Sequence, residues 1–134
     1  MADHRPTGVL DTNVFIDLAT LDRAALPEVA ALTTITLAEL QHGVAAAKDS
    51  TTRDVRTKRL GVAIVGYAPL PFDRRASTRY GSLIGLTIAA DRDPRSRRFD
   101  LMIAAIASCH DLPLYTRNPK DFVGLEQLVE VIEV

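Results

Sequence analysis

Short apolar runs alternate with amphipathic stretches along this chain, and the pattern predicts strands that alternate with helices. The predicted strands cover residues 8–10, 33–35, 64–70, 112–115 and 128–134. The predicted helices cover residues 14–18, 26–32, 36–47, 73–90 and 99–110, and one more helix begins near Thr51 and Asp54. Such alternation favours a parallel sheet covered on both faces, so we expect an α/β fold with three layers, α/β/α, around a central, mostly parallel sheet.

The length of 134 residues fits a single domain, which we expect to span residues 1–134. Hydrophobic residues make up 47% of the chain and charged residues 25%, as in an ordinary globular protein. The single cysteine, Cys109, excludes an intramolecular disulfide and fits a reducing compartment. Because the sequence shows neither a signal peptide nor an apolar run that could span a bilayer, we expect a soluble, cytoplasmic protein without membrane contact.

Four acidic residues lie where a predicted strand gives way to a turn or a helix: Asp11, Glu39, Asp100 and Asp121. In open parallel sheets the ligand crevice lies beyond the carboxyl ends of the strands, so the topology points these acids toward one rim. Each has a structural alternative: Asp11 as an N-cap, Glu39 as the capping-box partner of Thr36, Asp100 as a charge favoured at a helix start and Asp121 as a turn residue. Gathered together, the carboxylates would repel one another, and a metal cation would relieve that repulsion.

Five sequence blocks carry a family resemblance through their order and spacing. They are LDTNV at 10–14, TITLAELQHG at 34–43, PLPFD at 69–73, FDLMIAAIA at 99–107 and LYTRNPKDF at 114–122. With these blocks the chain resembles the PIN-domain ribonucleases over nearly its whole length, and closely the VapC-type toxins of type II toxin–antitoxin systems. The resemblance implies a PIN-like fold and an endoribonuclease, a hydrolase that cleaves RNA phosphodiester bonds.

The resemblance also implies a site for Mg²⁺ or Mn²⁺ made by the acids of the first, second and fourth blocks, Asp11, Glu39 and Asp100. A fourth carboxylate commonly comes from the last block. This chain has Asn118 where many relatives carry Asp, so we expect Asp121, three residues later, to be the fourth metal ligand. Asn118 would then be a neutral ligand or a substrate contact.

Around these ligands, the resemblance implies that Asn13 and Thr116 orient Asp11. The expected RNA contacts are arginines that flank the site in sequence and would bind phosphates: Arg95, Arg97, Arg98 and Arg117. The implied partners are a VapB-type antitoxin, which often inserts an arginine or a peptide segment, and a second copy in a homodimer. The implied substrate is a tRNA or rRNA loop, cut by a metal-activated water.

Two alternatives stay open from the sequence. The chain could be a catalytically weak PIN-fold binding or scaffold module, an alternative that Asn118 in place of Asp keeps open. It could also be a metal-dependent phosphatase that acts on small molecules, although the arginines spread along residues 92–98 favour a larger substrate. Metal binding and RNA cleavage distinguish the three functions.

Overall fold

A four-stranded, all-parallel sheet forms the centre of the protein, in a computed structural model that describes residues 6–134. Its strands are β1 (Thr7–Leu10), β2 (Val29–Ala31), β3 (Leu114–Thr116) and β4 (Val131–Glu133), in the spatial order β2-β1-β3-β4. The central pair is set in register by Val9 opposite Leu114 and Leu10 opposite Tyr115. The carboxyl ends of β1 and β3 therefore lie side by side, immediately before Asp11 and residues 117–121.

Helices cover both faces of this sheet. They are α1 (Thr12–Ile16), α2 (Thr34–Ala45), α3 (Ser50–Gly66), α4 (Arg74–Ala89) and α5 (Arg98–Cys109). Successive strand residues point to opposite faces, so Val9 packs with Leu83 and Leu101 of α4 and α5. Leu10 joins the other apolar cluster, with side chains from α1, α2 and α3. These two cores confirm the predicted three-layer α/β/α class, and the sheet is wholly rather than mostly parallel.

The helix starts follow from local side-chain chemistry. Thr33, Asp49 and Asp73 precede α2, α3 and α4, and the side chain of each accepts a hydrogen bond from a backbone N–H in the first turn. The expected caps of α3, Thr51 and Asp54, lie two and five residues too late, because Asp49 is the N-cap. The predicted helices at 73–90 and 99–110 agree with α4 and α5 to within a residue at each end.

Three predicted elements are wrong. Residues 26–32 were expected to be helical, but Val29–Ala31 pairs with β1 as a strand, because backbone pairing outweighs the helical spacing of a short apolar run. Residues 33–35 are not a strand, since Thr33 caps α2. Residues 64–70 are not a strand either, since α3 continues to Gly66 and Leu70 makes an isolated bridge with Thr33.

Gly8 shows how closely β1 and β3 approach on one side of the sheet. A methyl group on Gly8 would overlap the ring of Tyr115, and it would lie 3.1 Å from Cβ of Pro27. The Tyr115 side chain is therefore seated directly over the Gly8 backbone, where no larger residue would fit. Residues 1–5, which belong to the predicted single domain, lie outside the described residues.

Candidate active site

The candidate site lies at the carboxyl ends of β1 and β3, where separate elements bring the predicted acids. Asp11 ends β1 and caps α1, Asp100 lies in the first turn of α5, and Asp121 lies in a 3₁₀ helix, Pro119–Phe122, after β3. Glu39 lies in the second turn of α2, because this helix begins at Thr34 and not at Thr36 as predicted. Four elements that are distant in sequence thus contribute one acid each.

Asp11 is held by uncharged donors. It is only 7% exposed, and its Oδ1 accepts from the Thr12 N–H at 2.9 Å while its Oδ2 accepts from the Thr116 hydroxyl at 2.9 Å. Burial raises the pKa of this carboxyl group, and the two hydrogen bonds oppose that rise. The Asn118 N–H donates to Thr116 Oγ1 at 3.0 Å and so fixes the hydroxyl that faces Asp11.

Glu39 is held by a short relay of hydroxyl groups. Thr12 Oγ1 donates to Glu39 Oε1 at 2.5 Å and lies 2.8 Å from Thr36 Oγ1. A hydroxyl has one hydrogen, so Thr12, having given its own to Glu39, must accept from Thr36. The Thr36 N–H bonds to Thr33 Oγ1, so the expected capping-box bond from Glu39 to Thr36 is replaced by a bond across the site.

The pKa of Asp100 reflects its burial and the nearby charges of the other three acids. Burial and the negative charges of Asp11, Asp121 and Glu39 together raise its pKa from 3.8 to about 7, in that order of importance. The positive charge of Arg97 acts in the opposite direction and is the smallest of these effects. The structure therefore brings all four predicted acids into one electrostatically coupled pocket, as the position of each at the sheet rim predicted.

Asp121 differs from the other acids because it has a positively charged partner. Arg97 Nη1 donates to Asp121 Oδ1 at 2.9 Å and lies 3.4 Å from the Asp121 carbonyl oxygen. Both side chains are mostly buried, with 23% exposure for Arg97 and 32% for Asp121. Arg97, which we expected to face RNA, instead points into the acidic pocket in this conformation.

The remaining predicted site residues are only partly drawn into the pocket. Asn13 is exposed and its side chain makes no hydrogen bond to Asp11, so the expected role in orienting that acid falls to Thr12. Arg95 pairs with Asp93 on the surface, and Arg117 pairs with Asp17 at 2.6 Å. Arg98 is exposed at the first residue of α5 and has no ion pair within the described part of the chain.

Sequence reasoning missed two residues, Thr12 and Thr36, which connect Asp11 to Glu39. Both lie inside the sequence blocks that carry the resemblance, Thr12 directly after Asp11 and Thr36 three residues before Glu39. Their side chains are buried, which is unusual for threonine without a polar partner. Their position inside these blocks could have marked them as site residues, but it did not show which side chain each hydroxyl contacts.

The donor chemistry of the pocket fits a hard divalent cation, because carboxylate oxygens are the ligands that Mg²⁺ and Mn²⁺ prefer. The raised pKa of Asp100 shows an excess of negative charge that such a cation would relieve. Within residues 6–134, however, no three His, Cys, Asp or Glu side chains are arranged to hold a metal ion as they stand. Three of the four acids instead bond to Thr12, Thr116 or Arg97, so metal binding requires some of these contacts to change.

An apolar groove lies on the face of the protein that carries α1 and α3. It has a volume of about 860 Å³ and is lined chiefly by apolar side chains, among them Phe15, Leu18, Leu21, Leu26 and Val62. The three leucines are only partly buried against the core, so part of each side chain is open to the groove. Within residues 6–134, no helix combines the length and apolar character needed to cross a bilayer.

Comparison with known proteins identifies the family of this chain. No protein-family model matches the chain. The ribonuclease VapC5 of Mycobacterium tuberculosis is 40% identical over 135 residues, with 95% of each chain covered. The crystal structure of VapBC-5, a member of the VapBC family of toxin–antitoxin systems from the same organism, matches with a TM-score of 0.83 at 38% identity, over 96% of this chain and 98% of that chain. FitAcB from Neisseria gonorrhoeae matches with a TM-score of 0.70 at 27% identity, over 92% and 95%.

The parallel α/β/α sandwich with an acidic pocket at its strand ends is a PIN-domain fold, as its structural neighbours show. Within that class, the chain belongs to the VapC family of ribonucleases, to which the identity and the coverage assign it. The resemblance carried by the five sequence blocks is thereby confirmed.

Proposed function

We propose that this protein is a Mg²⁺- or Mn²⁺-dependent endoribonuclease that acts as the toxin of a toxin–antitoxin pair. The observation that carries the proposal is the coupling of Asp100 to Asp11, Glu39 and Asp121 in one pocket. Membership of the VapC ribonuclease family supports RNA as the substrate. A cytoplasmic location accords with an RNA substrate and with the single, unpaired Cys109.

The four acids would hold the metal, and Asp11 and Asp100 would contribute to its binding in different ways. Mg²⁺ or Mn²⁺, when bound, supplies the positive charge that makes water a better nucleophile and stabilises charge at the phosphate. Asp11 is oriented by the uncharged donors of Thr12 and Thr116, which do not compete with a cation as a positively charged partner would. Asp100, with a pKa of about 7, is the acid that gains most from a neighbouring cation.

The RNA backbone would be held by cationic side chains around the pocket. Arg98 is exposed at the start of α5, two residues before Asp100, and is therefore the first candidate for a phosphate contact. Arg117 is half-exposed and would exchange its partner Asp17 for a phosphate. We expect the cleaved segment to be a single-stranded loop of a tRNA or rRNA, because an unpaired backbone can enter a pocket formed by four separate elements.

A VapB-type antitoxin is the proposed partner, because a solved structure similar to this chain is that of VapBC-5, a member of the VapBC family of toxin–antitoxin systems. The groove beside Leu18, Leu21 and Leu26 suits an apolar segment of such a partner, which would cover side chains that the core only partly buries. The homodimer that the resemblance implies stays a prediction.

The experiment is to incubate purified, antitoxin-free protein with total bacterial RNA and Mg²⁺, beside Asp11→Ala and Asp100→Ala variants. We expect discrete RNA fragments from the wild type and none from either variant or after addition of EDTA. Asp93→Ala is the matched control, because Asp93 is an acid seven residues before Asp100 that pairs with Arg95 outside the pocket. It should cleave RNA as the wild type does.

The alternative, a catalytically weak binding module, is favoured by the fact that the acids bond to Thr12, Thr116 and Arg97 rather than forming a ready set of ligands. Intact RNA after incubation, or cleavage that survives in both alanine variants, would support it. Calorimetric titration of Mn²⁺ into the wild type and Asp11→Asn then separates the two functions. Only the nuclease requires binding by the wild type and its loss in the variant.

A further inference from the structure

Arg97 is buried to an unexpected extent for an arginine in a charged segment. It is three-quarters buried, while Arg95, two residues earlier in the same loop, has 82% of its side chain exposed. Both arginines bind an aspartate, but Asp93 is a surface residue and Asp121 belongs to the acidic pocket. The two ion pairs therefore look alike chemically and differ in whether they involve a candidate metal ligand.

The backbone explains how Arg97 reaches the pocket. Arg97 ends the 3₁₀ helix Pro94–Arg97 and directly precedes α5, so it lies three residues before Asp100. Its side chain makes no capping bond to α5 and extends instead to Asp121 in Pro119–Phe122. The ion pair thus joins two short 3₁₀ segments that α5 and β3 separate along the chain.

The contact uses atoms that a metal would need. Asp121 Oδ1 accepts from Arg97, and the guanidinium group also lies 3.4 Å from the Asp121 carbonyl oxygen. A divalent cation bound to the same carboxylate would meet the positive charge of this guanidinium at short range. The ion pair is therefore one physical reason why no ligand set is already assembled within residues 6–134.

We propose that Arg97 is a positioning residue that holds Asp121 in the metal-free protein and releases it when the metal binds, so that the guanidinium becomes a phosphate contact for RNA. The inference rests on the proposed function, since it assumes that the four acids bind a divalent cation. Arg97 acts first as an internal counterion of the acids and then as a substrate contact. Removing it has opposite effects on the two ligands: metal binds more tightly and RNA binds more weakly.

The first measurement is calorimetric titration of Mn²⁺ into the wild type, Arg97→Ala and Arg97→Lys. Because a competing cation is lost, Arg97→Ala should bind Mn²⁺ about three- to tenfold more tightly, the range expected for a partly buried ion pair. Arg97→Lys keeps the charge and should stay within about twofold of the wild type. Arg95→Ala is the matched control, an arginine removed from a neighbouring carboxylate pair, and its Mn²⁺ affinity should be unchanged.

The second measurement is the salt dependence of binding to a short single-stranded RNA, with Ca²⁺ in place of Mn²⁺ to avoid cleavage. Losing one phosphate contact should reduce the slope of log K against log salt by about 0.7 in Arg97→Ala. A purely structural role for Arg97 would weaken metal binding and RNA binding together. The opposite signs of the two changes are therefore specific to the proposed exchange.

Equal or weaker Mn²⁺ binding by Arg97→Ala, with binding by the wild type intact, would overturn this inference and leave the proposed nuclease standing. Absence of Mn²⁺ binding in both proteins, together with intact RNA, would overturn the metal site and this inference with it. Far-ultraviolet circular dichroism and thermal unfolding show whether each variant is folded. Should Arg97→Ala not fold, Arg97→Gln keeps most of the side-chain volume, loses the charge and carries the same expectation.

Discussion

Asp11 and Asp121 lie in the same pocket, but the protein holds them in opposite ways. Asp11 is 7% exposed and accepts from a backbone N–H and a hydroxyl, both on or beside the central strands. The Asp121 side chain is 32% exposed and is held by the charge of Arg97 on an irregular segment. Neutral donors orient a carboxylate without cancelling its charge, whereas a guanidinium group does both.

The difference divides the pocket into two halves. The half with Asp11 and Glu39 is built on regular elements and is held by three threonine hydroxyls, those of Thr12, Thr36 and Thr116. The half with Asp100 and Asp121 rests partly on 3₁₀ segments and is partly neutralised by Arg97. We therefore expect substitutions in the first half to disturb a fixed geometry, and substitutions in the second half to change charge and ligand affinity.

The largest effect should come from Thr116→Val, a substitution in the half of the pocket that contains Asp11 and Glu39. The change removes the donor to Asp11 Oδ2 in a buried setting and the acceptor for the Asn118 N–H in a partly buried one. We expect RNA cleavage to fall about 10–100-fold, as for other residues that orient metal ligands. The free energy of unfolding should fall by about 1–3 kcal/mol, because two polar groups lose their partner.

Cleavage rates and denaturant unfolding measure these two effects. Thr116→Ser keeps the hydroxyl and should restore most of the activity. A Thr116→Val protein that cleaves RNA at the wild-type rate would show that Asp11 does not depend on this donor. The geometry of the half with Asp11 and Glu39 would then not be set by the threonine hydroxyls.

A second substitution tests the same half through its backbone. Gly8→Ala places a methyl group against the Tyr115 ring, so β1 and β3 must separate or the ring must move. We expect a loss of about 1–3 kcal/mol in the free energy of unfolding, as in other overpacked cores. Gly61→Ala is the control, because a methyl group there meets no atom within 4 Å and lies inside α3. It should leave stability unchanged or raise it, since alanine favours helices, and equal unfolding midpoints for the two variants would contradict the close approach at Gly8.

The smallest effect concerns the charge of the second half. The folded-state pKa of Asp100 is raised from 3.8 to about 7, so its ionisation is unfavourable in the folded protein. The resulting loss of stability is absent below about pH 4, grows between pH 4 and 7 and is complete above pH 7. Asp100→Asn should therefore stabilise the metal-free protein more at pH 8 than at pH 5. The difference should be on the order of 1 kcal/mol, because the carboxylate keeps some contact with water.

Denaturant unfolding of the wild type and Asp100→Asn at both pH values, in EDTA, is the measurement. Asp93→Asn serves as the control, because Asp93 is a surface acid whose pKa is lowered by Arg95. It should not reduce the loss of stability between pH 5 and 8. If Asp100→Asn behaves like Asp93→Asn, the acids are not coupled as the structure indicates.

The sequence predicted the layers and the four acids because both depend on strong local patterns. Amphipathic spacing identified α4 and α5, and an acid directly after an apolar strand identified Asp11. It failed at β2, where a strand of three residues shows no periodicity and owes its conformation to pairing with β1. The length of α3 was missed because Ile64 and Val65 are β-branched, yet they lie exposed in a helix.

Within the site, the sequence could not predict partners that are distant along the chain. The hydroxyl of Thr12 meets Thr36 and Glu39, and Arg97 meets Asp121, across separations of 24 to 27 residues. Each contact depends on side-chain directions that only the packed fold determines. An arginine near an acidic site looks like a substrate contact in sequence, and its present partner is visible only in the structure.

The register of the sheet also has a consequence for how the chain is made. One edge of β1 is covered by β2 early in the sequence, but its other edge pairs with Leu114 and Tyr115, about a hundred residues later. A nascent chain leaving the ribosome therefore lacks Thr116 and Asp121 until synthesis is almost complete. Such long-range parallel pairing has high contact order and forms slowly. The acidic pocket is thus among the last features that translation allows to assemble, and a prematurely terminated chain contains Asp11 and Glu39 without the strand that orients them.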